Sequence, residues 1–312
     1  MTALAPRPPV APAASRGAGH ITAPEFVAVL AAAGVYVSYR VFVQTSLGQI
    51  VDTEAMRGAD VHHPRVVDVL SRTLNGTTLV SLVLACVIAA AIGFVRGRKD
   101  LAVGSALLVI GANLSSQLLK TRLDRADLDD FPAPNSFPSG HTTAAASVVF
   151  ALILVLPHAV RGMAAMIGAG YVTIIAVATV WAEWHRPSDT VAGLLVALAW
   201  GAAVATVLRA RRRRIPGPLS RPTRLTTLVF GVVAAIAGAA GLLGLGAVIL
   251  SERVTPDLVS GRFAFLTGAA GITAAVAGMF LIWVRLAAGD QPADFDAVPD
   301  EADTTGTDGA GR

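Results

Sequence analysis

The sequence predicts an all-α fold: a polytopic membrane protein with a six-helix core and two extra C-terminal transmembrane helices. Hydrophobic residues make up 54% of the 312 residues and charged residues only 15%, against roughly 25% in soluble proteins. The charges are also grouped, with long uncharged runs between the groups. A soluble surface needs more charge than this, so the composition indicates a chain that crosses the membrane several times.

Eight segments are apolar over about 20 residues, the length that a helix needs to cross a bilayer. These segments are 25–44, 77–95, 101–119, 141–157, 163–182, 189–208, 225–250 and 263–287. The first six form the predicted core, residues 25–208, and the last two form an addition, residues 225–287. The Pro- and Ala-rich segment 1–24 and the acidic segment 288–312 are predicted to be disordered tails.

Positive charge is concentrated in three connections between the spans, which predicts that these connections face the cytoplasm. Residues 96–100 carry three cations, residues 158–162 carry Arg161, and the linker 209–224 carries seven arginines and no acid. Both termini are then cytoplasmic. The outward connections are 45–76, 120–140, 183–188 and 251–262. A basic run beside a membrane span indicates topology, so no nucleic-acid partner is expected.

The segment Pro138-Ser139-Gly140-His141 lies at the outward mouth of the fourth predicted span. The first backbone N–H groups of a helix are unpaired and carry partial positive charge, so such a start can bind an anion. Its glycine lets a phosphate approach the backbone closely, and its serine adds a hydroxyl donor. Lys120, with Arg125 or Arg122, follows the third span and would supply full positive charge.

His185 and Asp189, at the outward mouth of the sixth span, are four residues apart and share one face of a helix. A carboxylate bound to one imidazole nitrogen fixes the tautomer and leaves the other nitrogen free as a nucleophile. His141 is a second imidazole on the same side, and it can protonate a leaving oxygen. The combination favours phosphoryl transfer, whereas either histidine alone is more typical of an interfacial polar residue.

Cys86 and the neighbouring pair His62 and His63 do not predict a functional site. Cys86 is the one cysteine of the chain, so it forms no disulfide within it. His62 and His63 lie in the outward connection 45–76 without a cysteine or suitably spaced carboxylates, and no metal site is predicted there.

Together these residues resemble the type 2 phosphatidic acid phosphatase superfamily of membrane lipid phosphatases. That family has the motifs Lys-x6-Arg-Pro, Pro-Ser-Gly-His and Ser-Arg-x5-His-x3-Asp. Here the middle motif is complete at residues 138–141, and the end of the third is complete as His185 and Asp189. The resemblance covers roughly residues 25–208 and leaves residues 225–287 outside it.

The resemblance implies that His185 is the nucleophile and forms a phosphohistidine, that Asp189 orients it, and that His141 protonates the leaving group. The residues that it implies for binding the phosphoryl oxygens are Lys120, Arg125, Ser139 and Gly140. It implies neither a metal nor a cofactor, because the cationic pocket itself neutralises the developing charge.

Two of the motifs depart from the family pattern. In the first, Arg125 comes five residues after Lys120 rather than seven, and alanine replaces proline. In the third, Ala178 and Thr179 replace the Ser-Arg pair, so one phosphate-binding arginine is absent. The further candidates for supplying that charge are Arg122 and Arg186.

We therefore expect a lipid phosphatase on the outer face, with membrane lipids around it and a lipid phosphate as its substrate. Candidate substrates are polyprenyl diphosphate, phosphatidic acid and phosphatidylglycerol phosphate, whose tails would enter sideways from the bilayer. The same residues could pass a head group to an alcohol, which would make the protein a phosphotransferase. The missing arginine leaves open a non-catalytic protein that binds or transports lipid phosphate, although binding alone needs no acid and nucleophile.

Overall fold

A computed structural model describes residues 23–59, 72, 79–129, 131, 133–212, 224–255 and 258–288. These residues form nine α-helices and contain no strand, so the predicted all-α fold is confirmed. The helices are α1 (Ala23–Ser38), α2 (Ser46–Arg57), α3 (Leu79–Val95), α4 (Lys99–Arg122), α5 (Gly140–Val155), α6 (His158–Trp181), α7 (Pro187–Arg212), α8 (Arg224–Val254) and α9 (Gly261–Ala288). The predicted tails, most of the basic linker, and His62 and His63 lie outside the described residues.

Six of these helices are long and apolar enough to cross a membrane: α1 with the π-helical turn Tyr39–Val43 that continues it, α4, α6, α7, α8 and α9. Each corresponds to one of the predicted spans. The protein is therefore an integral membrane protein.

The other two predicted spans, 77–95 and 141–157, are shorter helices of 17 and 16 residues. Helix α5 is short because Ser139 caps its start and Leu156, directly before Pro157, ends it. A proline ring disfavours helical geometry in the preceding residue. At 1.5 Å per residue α5 is about 24 Å long, less than a hydrocarbon core of about 30 Å. Most of its residues are buried by neighbouring helices, so it need not reach both membrane faces.

Helix α2 is an element that the sequence analysis missed, because it lies in the outward connection 45–76. The side chain of Thr45 caps it by accepting a hydrogen bond from the N–H of Gly48. The end of α2 meets the start of α9 so closely that a Cβ on Gly58 would overlap the backbone of Gly261. The connection therefore contains a helix docked on the end of the bundle.

Helix α7 lies at the centre of the bundle and packs against α1, α4, α5 and α9. Its small side chains allow these close contacts: Ala197, Ala202 and Ala205 are fully buried. At Gly201 an added Cβ would lie 2.9 Å from the ring of Trp283 in α9. The first turn of α7, which carries Asp189, therefore belongs to a helix that is packed on several sides.

Helices α8 and α9 form a hairpin that shares one hydrophobic core with the helices that precede it. Trp283 of α9 is fully buried, stacks on Phe150 of α5 at 5.2 Å, and donates from Nε1 to the carbonyl oxygen of Phe150. Arg161 and Arg209 donate to carbonyl oxygens near the end of α9. The hairpin is therefore part of the same packed bundle.

Candidate active site

A cavity of about 490 Å³ opens where α4 ends and α5 and α7 begin. Its polar end is lined by Lys120 from the last turn of α4, by Gly140 and His141 from the start of α5, and by His185 from the connection before α7. The fold thus brings four of the predicted site residues, from three separate segments, into one cavity.

The rings of His141 and His185 approach each other at this cavity, with centroids 6.1 Å apart and planes at 64°. The ring of His141 also packs against Trp184, at a centroid distance of 5.4 Å. His185 is buried, with 5% of its surface exposed, and His141 is partly exposed to the cavity. A phosphorus centre between the two rings would be within reach of both imidazoles.

The carboxylate of Asp189 is fully buried and lies at the centre of a polar cluster. Its Oδ1 accepts from Nη2 of Arg125 at 2.9 Å, and its Oδ2 accepts from the hydroxyl of Ser136 at 2.5 Å and from the N–H of Arg186 at 3.0 Å. Nδ1 of His185 is 3.7 Å from Oδ2 and has no hydrogen-bond partner among the described residues. Because Asp189 lies on the Nδ1 side, Nε2 is the ring nitrogen available to a substrate.

Backbone contacts tie the start of α5 to the start of α7. The N–H of Ser139 donates to the carbonyl oxygen of Asp189 at 2.8 Å. The hydroxyl of Ser139 accepts from the N–H of Thr142 at 3.3 Å, so this buried side chain caps α5 and does not line the cavity. At Gly193 a Cβ would lie 2.7 Å from the carbonyl oxygen of Ser139, so the approach of the two helices requires glycine there.

The cations predicted from the first motif have different surroundings. Lys120 lines the cavity. Arg122 is exposed and lies outside the cavity lining. The side chain of Arg125 is only 3% exposed and forms an ion pair with Asp189, while its Nε and Nη1 have no partner in the described part of the chain. Arg125 is therefore placed beside the carboxylate, with two of its three side-chain nitrogens still unused.

Arg186, which follows His185 directly, forms hydrogen bonds with α2 and with the connection after α4. Its Nε donates to the hydroxyl of Thr53 at 2.7 Å, and its Nη2 donates to Asp129 at 3.3 Å. Thr53 in turn donates to the same carboxylate. With 1% of its surface exposed, Arg186 holds the scaffold around His185 and does not line the cavity.

Asp52 of α2 caps the start of α7 from outside that helix. Its carboxylate accepts from the N–H of Ser188 at 3.0 Å and from the hydroxyl of Ser188. The N–H groups of a first helical turn have no carbonyl partner within the helix, so this contact fixes the turn that carries Asp189. Burial, and to a smaller extent the negative charge of Asp189, raises the pKa of Asp52 to about 7.

Deeper in the bundle the cavity becomes mostly apolar. This part is lined by Leu82 and Ala85 of α3, by Ala144, Ala145 and Val148 of α5, and by Tyr171 of α6. Helices α3 and α6 both pack against α5, and the cavity lies between them. A phosphate at the polar end could therefore carry a hydrocarbon chain that extends among the helices.

The sequence model of the PAP2 superfamily matches residues 26–213. The chain belongs to the PAP2 superfamily. The match includes α1 from its fourth residue, α2 to α7 and every predicted site residue, and α8 and α9 lie outside it. No curated protein and no solved structure shows significant similarity to the chain. The resemblance predicted from the motifs is confirmed, and because PAP2 members are generally phosphatases, membership supports a phosphatase reaction.

Thr179 occupies the position of the third-motif arginine in PAP2 proteins. Its side chain is fully buried, and its hydroxyl donates to the carbonyl oxygen of Ala176 at 2.9 Å. The carbonyl oxygen of Thr179 accepts from the N–H groups of Trp184 and His185. Thr179 therefore shapes the connection that presents His185 and brings no charge to the cavity.

Four residues of this PAP2 site were missed by the sequence analysis: Ser136, Asp52, Thr53 and Asp129. Ser136 could have been found, because it lies three residues before Ser139 in the segment that carries the middle motif. Asp129 lies between the first and middle motifs without belonging to either, and Asp52 and Thr53 lie in the connection 45–76, which has no recognised motif. Only the docking of α2 on the start of α7 brings Asp52 and Thr53 to the site.

Proposed function

We propose that this protein hydrolyses a lipid phosphate or diphosphate through a phosphohistidine intermediate, on the extracytoplasmic face of the membrane. The observation that carries the proposal is the cavity in which His141 and His185 meet beside Lys120 and the first residues of α5. Its apolar extension between α3 and α6 suits the tail of a polyprenyl diphosphate, a phosphatidic acid or a phosphatidylglycerol phosphate.

In the first step Nε2 of His185 attacks phosphorus, and the bond between phosphorus and the leaving oxygen breaks. His141, which is protonated when the anionic phosphate binds beside it, gives its proton to that oxygen, so the lipid leaves as an alcohol, or as a monophosphate when the substrate is a diphosphate. In the second step His141 takes a proton from water as the water oxygen attacks phosphorus. The phosphorus–nitrogen bond breaks, and inorganic phosphate leaves.

Charges around the cavity support both steps. Asp189 stabilises the positive charge that the His185 ring carries while it is phosphorylated. Lys120 and the free N–H groups at the start of α5 neutralise the phosphoryl oxygens, so the chemistry requires no metal. Arg125, buried beside Asp189, keeps Nε and Nη1 without a partner among the described residues, so it is a further candidate source of donors to the phosphoryl oxygens.

The proposed orientation rests on the arginines at the other end of the bundle. Arg96 donates to the last residue of α5, Arg161 to residues near the ends of α5 and α9, and Arg209 to the end of α9. Arg96, Arg161 and Arg209 belong to connections or helix ends that the positive-inside rule assigns to the cytoplasm. The cavity is at the opposite helix ends, which supports an active site on the extracytoplasmic face.

The proposal is tested by phosphate release from the three candidate lipids in detergent, with EDTA present. We expect turnover of at least one lipid by the wild-type protein and none by His185→Ala. His158→Ala is the matched control, because it removes a histidine from the start of α6 at the far end of the bundle. Full activity of His185→Ala would contradict the proposed nucleophile, and a supplied alcohol that becomes phosphorylated would indicate phosphotransfer.

A further inference from the structure

One face of α4 places three polar side chains in a row along the cavity: Lys120, Gln117 and Asn113. They are three and four residues apart, so they lie on the same side of the helix. With a rise of 1.5 Å per residue, Gln117 is about 4.5 Å deeper in the bundle than Lys120, and Asn113 about 10 Å deeper. The row leads from the phosphate-binding end into the apolar part of the cavity.

Gln117 lies next to the start of α5, since its Nε2 would be 3.4 Å from a Cβ added to Gly140. It is exposed in the cavity and makes no hydrogen bond within the described part of the chain. Asn113, by contrast, donates to the carbonyl oxygen of Val109 at 2.8 Å and to the hydroxyl of Ser147 at 3.1 Å. Of the two amides, Gln117 is the one available to a substrate.

An amide directly below the phosphate site favours a substrate with hydrogen-bond acceptors at that depth, because a polar group facing hydrocarbon costs free energy. A glycerolipid phosphate has ester oxygens within a few bonds of its phosphate. A polyprenyl phosphate has only hydrocarbon there. The position of Gln117 therefore matches the glycerol ester region of a lipid.

The charge of the lining also separates monophosphates from diphosphates. Among the described residues that line the cavity, Lys120 is the one lysine or arginine. A diphosphate would bring its second anionic group to the depth of Gln117, where the lining offers a neutral amide. Burying a phosphate charge without a cation is unfavourable, so the lining fits a monophosphate better.

We propose that Gln117 determines substrate specificity by donating its amide N–H to an ester carbonyl oxygen of a glycerolipid monophosphate. The protein then prefers diacylglycerol phosphate to polyprenyl phosphates and diphosphates. The proposal rests on the proposed function, since it concerns the substrate of the same site.

The experiment compares kcat/KM for three monophosphates in detergent micelles: a diacylglycerol phosphate, a dialkylglycerol phosphate that lacks the ester carbonyls, and farnesyl phosphate. We expect the wild-type protein to prefer the diacyl substrate over the dialkyl one by about tenfold, the effect of one good hydrogen bond. Gln117→Leu should remove this preference and leave kcat/KM for the other two substrates unchanged. Leu118→Ala is the control, because Leu118 is the neighbouring exposed residue outside the cavity lining.

Gln117→Met is the second variant, since its unbranched side chain keeps the length of glutamine and loses only the amide. A diacyl preference that persists in both variants would overturn the assignment. Faster hydrolysis of farnesyl phosphate by the wild-type protein, or of farnesyl diphosphate assayed in the same micelles, would overturn it as well. A wild-type protein that releases phosphate from no lipid would instead refute the proposed function, and the two failures are therefore distinguishable.

Discussion

Nη2 of Arg125 lies 2.9 Å from Oδ1 of Asp189, and both side chains are almost completely buried. Arg125 belongs to the connection after α4, and Asp189 to the first turn of α7. The ion pair therefore joins the first motif of this PAP2 protein to the third. It also means that the carboxylate beside His185 is held by a cation from a different segment.

Replacing Arg125 with alanine is expected to lower the free energy of unfolding by about 3–5 kcal/mol, because Asp189 would remain buried without its cation. Phosphate release should fall with it, since the displaced carboxylate no longer supports His185. Thermal unfolding in detergent and lipid phosphatase assays measure the two effects. Arg122→Ala is the matched control, because Arg122 is exposed. Equal unfolding temperatures for both variants would contradict the assignment.

Replacing Ser136 with alanine removes the hydroxyl that donates to Oδ2 of Asp189 at 2.5 Å. A hydrogen bond to a charged group contributes about 1.5–3 kcal/mol, and its loss lets the carboxylate turn away from His185. We expect kcat to fall while KM stays nearly constant, because Ser136 acts through Asp189 and not on the lipid. Ser136→Thr retains the hydroxyl and should recover most of the rate. A fall in kcat that threonine does not restore would indicate a packing role.

Stability should depend on pH through Asp52, whose pKa is raised from 3.8 to about 7 in the folded protein, mainly by burial. The folded state then binds this proton more tightly than the unfolded state. Its contribution is complete below pH 3.8, decreases as pH rises toward about 7, and is lost above that. Unfolding temperatures at about pH 5 and about pH 8 should differ more for the wild-type protein than for Asp52→Asn, which stays neutral. Identical differences would show that Asp52 does not titrate in this range.

The helical bundle could be predicted because bilayer length and apolar composition determine where a chain can cross. Six spans follow from those two quantities alone. The short helix α5 differs from its prediction for a local reason, since Pro157 ends it and neighbouring helices bury it. Helix α2 could not be found in this way, because it is amphipathic and too short to cross the membrane. Its position is determined by contacts with α9 and α7.

The sequence predicted those parts of the candidate site whose residues lie close together along the chain. The spacing of His185 and Asp189 and the Ser139-Gly140-His141 segment placed both imidazoles in one cavity with Lys120. The directions of long side chains could not be predicted, because they depend on distant partners. Arg186 follows His185 directly in sequence, yet Thr53 and Asp129 hold it away from the cavity.

The hairpin of α8 and α9 lies outside the PAP2 match. Trp283→Ala should lower the free energy of unfolding by about 3–5 kcal/mol, because Trp283 is fully buried against Phe150 and donates to its carbonyl oxygen. Its contacts are with the middle of α5 and with Gly201, not with the cavity lining, so the folded variant should keep its kcat. Leu243→Ala is the control, because Leu243 is 77% exposed. A Trp283→Ala protein as stable as this control would mean that the hairpin does not stabilise the helices that precede it.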